Sequence, residues 1–205
     1  NNLFRTQLDR YGELDTIATR WSAVLGRLPA ETTVVVNADD PTLAELTRDI
    51  PARRLTFGLQ ESKHRLDRLP HAADSAICRR CGADLEYLAL YSSHLGNWKC
   101  PRCSAARPPL DIVGSEIALD GVDGLHLTVT YPDQTKRTVT TGVPGLYNAY
   151  NALAASAVAE AIGVSRMNAG WTLEHFRSAF GRIERFDFNG RHITLALVKN
   201  PVGFN

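Results

Sequence analysis

The four cysteines of the chain form two close pairs, Cys78 with Cys81 and Cys100 with Cys103. Zinc takes four ligands in a tetrahedron, and cysteine thiolates suit it well. Two residues between paired cysteines let both sulfurs meet one ion, and the interval between the pairs is typical of zinc sites. The spacing therefore predicts that these four residues bind one Zn²⁺. The site should be structural, because four protein ligands leave no open position for a substrate.

Other interpretations of the cysteines fit the pattern less well. Disulfide frameworks are typical of small secreted chains, in which the cysteines are spread along the sequence. A redox role for one Cys-x-x-Cys motif would leave the second pair unexplained, and four unrelated buried cysteines would not repeat the spacing. We therefore expect residues 77–105 to be an inserted zinc ribbon, in which Gly82 permits a tight turn.

Two asparagines and one arginine could contact a nucleotide. Asn148 and Asn151 stand three apart at the start of a predicted helix, so they share one face. Their amides could pair with the donor and acceptor edge of a purine, although a helix cap and a solvated side chain fit the spacing too. Arg182 follows a glycine and could bind phosphate through its planar guanidinium, or it could pair with Glu184 at the surface.

Two further polar segments follow predicted strands. Asp39 and Asp40 precede Pro41 and could hold a metal, but a turn followed by a helix cap is the commoner use of such residues. Lys199 opens a Lys-Asn-Pro segment after the last predicted strand, where α/β proteins often bind ligands. A plain polar turn fits that segment equally well.

The composition limits the class of protein. The chain has 205 residues, of which 44% are hydrophobic and 22% are charged, as in ordinary soluble globular proteins. The formal net charge of +1 gives no argument for a nucleic-acid partner or an anionic membrane surface. No apolar run approaches the roughly 20 residues of a membrane span, and the first residues do not resemble a signal peptide. These features predict a cytoplasmic protein without a transmembrane segment.

Strands alternate with helices along the chain. The hydrophobic periodicity predicts a first helix between Leu8 and Leu28 and a second helix that begins at Pro41. Further helices are predicted at 148–162 and 173–180, strands at 33–36, 55–59, 125–131, 137–140 and 192–198, and a loop at 60–76. This order predicts an α/β fold with a mostly parallel sheet flanked by helices, a small antiparallel hairpin region and the inserted four-cysteine zinc ribbon.

Four motifs, in this order, resemble the central domain of the Mur ligase family. They are Leu-Asp-Arg-Tyr-Gly-Glu at 8–13, Asn-Ala-Asp-Asp-Pro at 37–41, Tyr-Asn-x-Tyr-Asn-x-Leu-Ala-Ala at 147–155 and Phe-Gly-Arg-x-Glu at 180–184. The cysteine insert and the ending Lys-Asn-Pro-x-Gly-Phe-Asn narrow the resemblance to MurT, the ligase-like subunit of lipid II isoglutaminyl synthase. The resemblance spans nearly the whole chain.

The resemblance implies an ATP-dependent amide-forming reaction. MurT-like subunits amidate the α-carboxylate of D-glutamate in the lipid II stem peptide, through an acyl phosphate, with Mg²⁺ and with ammonia from a GatD-like glutaminase subunit. They act in the cytoplasm, at the inner face of the bacterial membrane. The resemblance therefore implies the cofactors ATP and Mg²⁺ beside the predicted structural Zn²⁺.

The same resemblance assigns roles to single residues. Asn148 and Asn151 match the adenine-contacting asparagine motif of the family, and Arg182 matches its nucleotide-contacting arginine. Gln7 stands where other Mur ligases carry a metal-binding histidine, and Thr6 stands where MurT sequences usually carry aspartate. No catalytic residue is assigned within the chain.

One family motif is missing from the sequence. The phosphate-binding loop Gly-x-x-x-x-Gly-Lys-Ser/Thr does not occur in the chain. We therefore expect residues 1–205 to be a central-domain fragment, without the P-loop region and the C-terminal domain, that is inactive alone. Two other hypotheses stay open: a Mur-like ligase that adds an amino acid, and a non-catalytic zinc-ribbon interaction module. The last would expose the aromatic residues of the insert, whereas their commoner role is a small core.

Overall fold

The computed structural model describes residues 1–5, 13–70, 73–176 and 183–197. Its helices are α1 (Leu14–Leu25), α2 (Pro41–Leu46), α3 (Leu146–Ala161) and α4 (Arg166–His175). Its strands are β1 (Thr33–Asn37), β2 (Arg53–Leu59), β3 (Glu86–Ser92), β4 (Leu95–Lys99), β5 (Ile112–Leu119), β6 (Leu125–Thr130), β7 (Lys136–Thr141), β8 (Ile183–Phe188) and β9 (Arg191–Ala196).

Five strands form the central sheet, in the order β1-β2-β5-β6-β7. β1 pairs in parallel with β2, and β2 pairs in parallel with β5. β5, β6 and β7 then form an antiparallel meander. The α/β class is confirmed, but the sheet is mixed instead of mostly parallel. Short turns join β5 to β6 and β6 to β7, and strands joined by such turns can pair only in antiparallel directions.

Helix α3 covers the central sheet and contacts β1, β2, β5 and β6. Phe57, Leu59 and Leu153 are fully buried in the core between them. Gly114 in β5 leaves the space that Leu153 fills, since a Cβ there would lie 2.6 Å from the Leu153 Cδ1. Each side chain of this size contributes about 1.5–3 kcal/mol when buried. Apolar burial therefore holds α3 on the sheet.

The connection from β2 to β5 carries residues 77–105, which we call the cysteine unit. It contains the antiparallel hairpin of β3 and β4, which has two irregularities in register. Isolated bridges pair Ile77 with Asp84 and Lys99 with Ala106, so each bridge lies beside one cysteine pair. The sequence did not predict this hairpin, because its strands lack a regular alternation of apolar and polar residues.

Two helix boundaries follow the predicted local signals. Pro41 is the first residue of α2, and the Asp40 carboxylate caps it by accepting from the N–H groups of Thr42 and Leu43 at 2.9 and 3.1 Å. Gly163 follows α3 with φ +75°, the left-handed conformation that ends many helices. The predicted hairpin of β6 and β7 is also confirmed.

Other boundaries differ from the prediction. α4 begins at Arg166 instead of near Leu173, because the Ser165 side chain caps it by accepting from the Asn168 N–H. β8 was not predicted and pairs with β9 in a separate two-stranded sheet. α1 begins at Leu14, while the start predicted near Leu8 lies outside the described residues. No described helix is both long and apolar enough to span a bilayer.

Candidate functional site

The two cysteine pairs lie in turns with matching backbone hydrogen bonds. In the first turn, the Cys78 N–H donates to the Ala83 carbonyl at 2.7 Å. In the second turn, the Cys100 N–H donates to the Ala105 carbonyl, also at 2.7 Å. Gly82 has φ +70°, so it supplies the tight turn that the sequence predicted. The two halves of the cluster are therefore built in the same way.

The four sulfur atoms all lie within 4.8 Å of one another. Sulfurs from different pairs approach closely, with Cys78 and Cys103 at 3.6 Å and Cys81 and Cys100 at 3.4 Å. A regular tetrahedron with Zn–S bonds of about 2.3 Å places its sulfurs about 3.8 Å apart. All four cysteines are free thiols, so no disulfide competes for the sulfurs. The residues present therefore fit a single tetrahedral metal ion.

Hydrogen bonds favour the thiolate form of Cys81. The Ala83 N–H, with a further contribution from Arg102, lowers the pKa of Cys81 to about 6. The Ala105 N–H acts in the same sense on Cys103, but burial and the neighbouring sulfurs raise the pKa of Cys103 to about 12. Four thiolates so close together repel one another, and a bound cation removes that repulsion.

The cysteine unit docks on the loop that follows β1. Trp98 is 3% exposed, and its Nε1 donates to the Ala38 carbonyl at 3.0 Å. The Gly96 N–H donates to the Asp39 carbonyl at 3.0 Å. At the surface, Arg80 Nε lies 2.8 Å from the Glu45 carboxylate on α2. Backbone and side-chain contacts therefore fix the unit against this loop and α2.

Asp39 is a fully buried carboxylate with three donors. Its Oδ1 accepts from Arg107 Nη1 at 2.8 Å, and its Oδ2 accepts from the Tyr150 hydroxyl and the Leu59 N–H, each at 2.8 Å. Burial raises the pKa of Asp39, and the charge of Arg107 opposes that rise. Burial and the Asp39 charge raise the pKa of Tyr150 well above its usual value, so its hydroxyl stays protonated and donates.

Asp40 is buried beside the cysteine unit and the chain start. Besides capping α2, its Oδ2 accepts from the Leu3 N–H at 2.7 Å. His94 Nε2 lies 3.5 Å from the same oxygen and is fully buried. Protein donors thus surround the carboxylates of Asp39 and Asp40, which supports the turn-and-cap interpretation over a metal site.

The two predicted nucleotide-contacting asparagines are brought together. Asn151 Nδ2 donates to Asn148 Oδ1 at 2.8 Å, and Asn148 Nδ2 donates to the Pro144 carbonyl at 2.7 Å. Gly145 is the N-cap position of α3 and uses no side chain there, so neither asparagine is the cap. Asn148 is buried, whereas Asn151 is exposed. The pair is therefore held in one arrangement with Asn151 at the surface, and its contact with adenine stays a prediction.

Residues 1–5, which we call the N-terminal segment, lie beside this pair. Asn1 Nδ2 donates to Asn151 Oδ1 at 2.5 Å. Arg5 donates to the Asp74 carboxylate through its backbone N–H at 2.9 Å and through its Nε at 2.5 Å. The segment therefore spans from the asparagine pair to the chain that enters the cysteine unit.

Several predicted site residues lie outside the described part of the chain. They are Thr6, Gln7, Arg182 and Lys199. Their proposed roles stay predictions. Of the insert aromatics, Tyr91 and Trp98 are buried, as is the ring of His94, and Tyr87 is partly buried, so these four side chains pack instead of forming an exposed surface.

Arg107 and the Tyr150 hydroxyl were not singled out in the sequence. Arg107 also donates to the Leu59 carbonyl at 2.9 Å, so it joins the exit of the insert to the end of β2. A signal did exist for Tyr150, since it stands between the two asparagines in the motif at 147–155. Its direction into the core, towards Asp39, becomes visible only in the fold.

No protein-family model matches the chain. Among curated proteins, the MurT subunit of lipid II isoglutaminyl synthase from Streptococcus pneumoniae is 31% identical over 208 residues, covering 98% of this chain and 43% of that protein. MurT from Staphylococcus aureus is 26% identical over 204 residues, covering 100% and 44%. UDP-N-acetylmuramate–L-alanine ligase from Aquifex aeolicus is 27% identical over 183 residues, covering 89% and 30%. The chain thus spans less than half the length of the curated relatives it matches.

Solved structures share the fold at lower identity. A pseudomurein peptide ligase type C from Methanothermus fervidus has a TM-score of 0.77 and 23% identity, covering 98% of this chain and 38% of that one. MurF from Acinetobacter baumannii has a TM-score of 0.60 and 18% identity, covering 94% and 32%. Together, the sequence and structure comparisons confirm the predicted resemblance.

Proposed function

Because this chain is a relative of the Mur ligases, with MurT among its similar proteins, we propose that it is the central domain of an ATP-dependent amide-forming ligase. The substrate would be the α-carboxylate of D-glutamate in the lipid II stem peptide, and the product would be D-isoglutamine. The observation that carries the proposal is the 31% identity to MurT over 98% of this chain.

The reaction needs ATP because a carboxylate is a poor electrophile. A carboxylate oxygen would attack the γ-phosphorus of ATP, giving an acyl phosphate and ADP. Ammonia would then attack the acyl carbon, inorganic phosphate would leave, and a proton would be lost from nitrogen to give the amide. Positioning of the reactants and neutralisation of phosphate charge by Mg²⁺ and cationic groups supply most of such catalysis.

Within this chain, the asparagine pair would hold the base of ATP. Asn148 is buried and bonded to the Pro144 carbonyl, and it orients Asn151 through the 2.8 Å contact between their amides. An amide whose rotamer is already fixed loses little conformational entropy when it pairs with a ligand. Arg182 would bind a phosphate in the same complex, as the family motif implies.

The cysteine cluster would carry a structural Zn²⁺, held by Cys78, Cys81, Cys100 and Cys103. Four sulfurs in a tetrahedral arrangement satisfy the ion completely, so it would take no part in the chemistry. The ammonia donor would be a GatD-like glutaminase subunit, which would pair with this protein in the cytoplasm at the inner face of the membrane.

The test uses the natural full-length protein, expressed together with its candidate glutaminase and supplied with lipid II, ATP, Mg²⁺ and glutamine. Mass spectrometry would detect conversion of the D-glutamate carboxylate to an amide, and we expect the reaction to require both subunits and ATP. Asn151→Ala should raise the KM for ATP, because it removes the surface amide of the pair. Asn168→Ala is the matched control, since Asn168 is an exposed asparagine on α4.

Two other outcomes would redirect the assignment. Addition of an amino acid instead of ammonia would identify a different Mur-like ligase, consistent with the similarity to an alanine-adding enzyme. Absence of any ligation, with both subunits folded and the complex formed, would overturn the ligase proposal and leave the zinc-ribbon interaction module.

A further inference from the structure

We propose that the cysteine unit is a brace for the nucleotide-binding face. It holds Asp39 and Asp40 in place, and these two acids position α3 and the N-terminal segment around Asn148 and Asn151. Metal occupancy of the cysteine cluster would thereby set the affinity of the distant asparagine pair for ATP. The inference rests on the proposed role of those asparagines in ATP binding.

The first step of the brace is contact with three successive residues of the loop after β1. Trp98 donates to the Ala38 carbonyl at 3.0 Å, and the Gly96 N–H donates to the Asp39 carbonyl at 3.0 Å. The fully buried His94 ring lies against Asp40 at 3.5 Å. One strand of the hairpin and its turn therefore contact the whole loop.

The second step runs from Asp39 to α3. Its Oδ2 accepts from the Tyr150 hydroxyl at 2.8 Å, and both side chains are fully buried. Tyr150 lies between Asn148 and Asn151 in the first turns of α3. A displaced Asp39 would leave this hydroxyl unpaired in the core or force α3 to shift, and either change disturbs the asparagines.

The third step runs from Asp40 to the N-terminal segment. The Leu3 N–H donates to Asp40 Oδ2 at 2.7 Å, and the Phe4 ring packs on His94 with ring centroids 4.8 Å apart. The same segment reaches Asn151 through Asn1 at 2.5 Å. Both routes from the cysteine unit therefore end at one exposed amide.

His94 also indicates how closely the cysteine unit packs against residues 38–40. Neither ring nitrogen has a hydrogen-bond partner among the described residues, although the side chain is fully buried. A buried imidazole without a hydrogen bond costs free energy, and the packing around it must offset that cost. Within the hairpin, Gly96 lets β4 lie close to β3, since a Cβ there would lie 2.1 Å from the Ala89 carbonyl oxygen.

The metal matters because the two turns that carry the cysteines bury few large apolar side chains. Trp98 packs with Cys78, Cys100, Ala105 and Ala44 in a small cluster. The hairpin also buries Ala89, Tyr91 and Leu95 in the main core, but the buried members of this second cluster besides Trp98 are only cysteines and alanines. The cysteine ligands must therefore hold Trp98 and the turns in register. Loss of the ion would release all three contacts with residues 38–40 at once.

The experiment measures Mg-ATP affinity by calorimetry and hydrogen exchange at residues 146–151 in the full-length protein. The wild type is compared with a zinc-free Cys100→Ser/Cys103→Ser variant and with Trp98→Phe, which keeps the aromatic packing but loses the donor to Ala38. Lys99→Gln is the matched control, because it changes the exposed neighbour on the same strand. Cobalt absorption spectra report whether the tetrathiolate site still forms.

We expect Trp98→Phe to keep the cobalt spectrum, to raise the Kd for Mg-ATP roughly fivefold and to speed exchange at residues 146–151. The zinc-free variant should show a larger change of the same kind, and Lys99→Gln should show none. Unchanged affinity and exchange in Trp98→Phe would overturn the brace. If the wild type binds no ATP, the proposed function fails, and the exchange rates alone decide whether the cysteine unit positions α3.

Discussion

The central sheet and the cysteine unit are stabilised in different ways. The sheet and α3 bury large aliphatic and aromatic side chains, such as Phe57 and Leu153, with no solvent exposure. The cysteine unit contributes Ala89, Tyr91 and Leu95 to that same core, but the buried cluster around its four cysteines contains only Trp98 as a large apolar side chain. One polypeptide thus combines a region held by apolar burial with a region whose sulfurs are arranged for a metal. The two regions should respond differently to the same perturbation.

Removal of the metal should cause the largest loss of stability. Structural zinc sites supply on the order of 10 kcal/mol of folding free energy in small peptides. We therefore expect Cys100→Ser, or treatment with a chelator, to unfold residues 77–105 while the five-stranded sheet persists. Limited proteolysis mapped by mass spectrometry checks this, with cleavage expected within the cysteine unit first. Simultaneous loss of the sheet would mean that the two regions form one cooperative unit.

A cavity in the core of the central sheet should cause the second-largest loss of stability. Phe57→Ala removes a fully buried ring and should lower the free energy of unfolding by about 3–5 kcal/mol. Leu88→Ala, at an exposed position on the cysteine unit, should change it by less than about 0.5 kcal/mol. Denaturant titrations measure both values. A cobalt spectrum altered by Phe57→Ala would contradict the separation of the two regions.

Substitution of Asp40, at the boundary between the two regions, should lower the free energy of unfolding by a smaller amount. Asp40→Ala removes the cap of α2 and the acceptor for the Leu3 N–H, so we expect a loss of about 1–2 kcal/mol. Asp40→Asn keeps an acceptor for the cap and should cost less. Thermal unfolding of both variants measures the difference. Equal losses would assign the effect to the negative charge instead of the cap.

Loss of the ion pair between Arg166 and Asp133, in the turn that joins β6 and β7, should change the stability least. Arg166, by its hydrogen bond, lowers the pKa of Asp133 to about 2, from an ordinary value of 3.8. Because the folded pKa is lowered, the stabilisation is present above pH 3.8 and is lost as the pH falls through 2. The dependence of unfolding free energy on pH, measured from about pH 5 down to about pH 2, should therefore flatten slightly in Asp133→Asn. An unchanged slope would show that the ion pair does not contribute.

The predictions that succeeded used signals close together in the sequence. The Pro41 start of α2 and the Gly163 stop of α3 each depend on residues a few positions apart. The four cysteines do lie together, as their spacing indicated, while their binding of zinc stays a prediction. The sequence also predicted the β6–β7 hairpin from alternation and a short turn. Local chemistry determines such features, so a single sequence is enough to find them.

The features that were missed depend on distant partners. Asp39 meets Arg107 across 68 positions and Tyr150 across 111 positions. No local pattern marks such pairs, because they form only when the sheet brings the strand ends and α3 together. The prediction of a mostly parallel sheet was wrong for a related reason. Strand direction depends on the connection between two strands and not on the composition of each strand.

The placement of the cysteine unit within the β2–β5 connection has a consequence for folding kinetics. Parallel pairing of Leu59 with Gly114 must close the whole connection of residues 60–111, and the entropy lost in closing a loop grows with its length. A cysteine unit that folds first on its metal leaves less than half of those residues as free chain. Halving a flexible loop lowers the closure cost by about 0.6 kcal/mol, so metal loading should accelerate the pairing of β2 with β5.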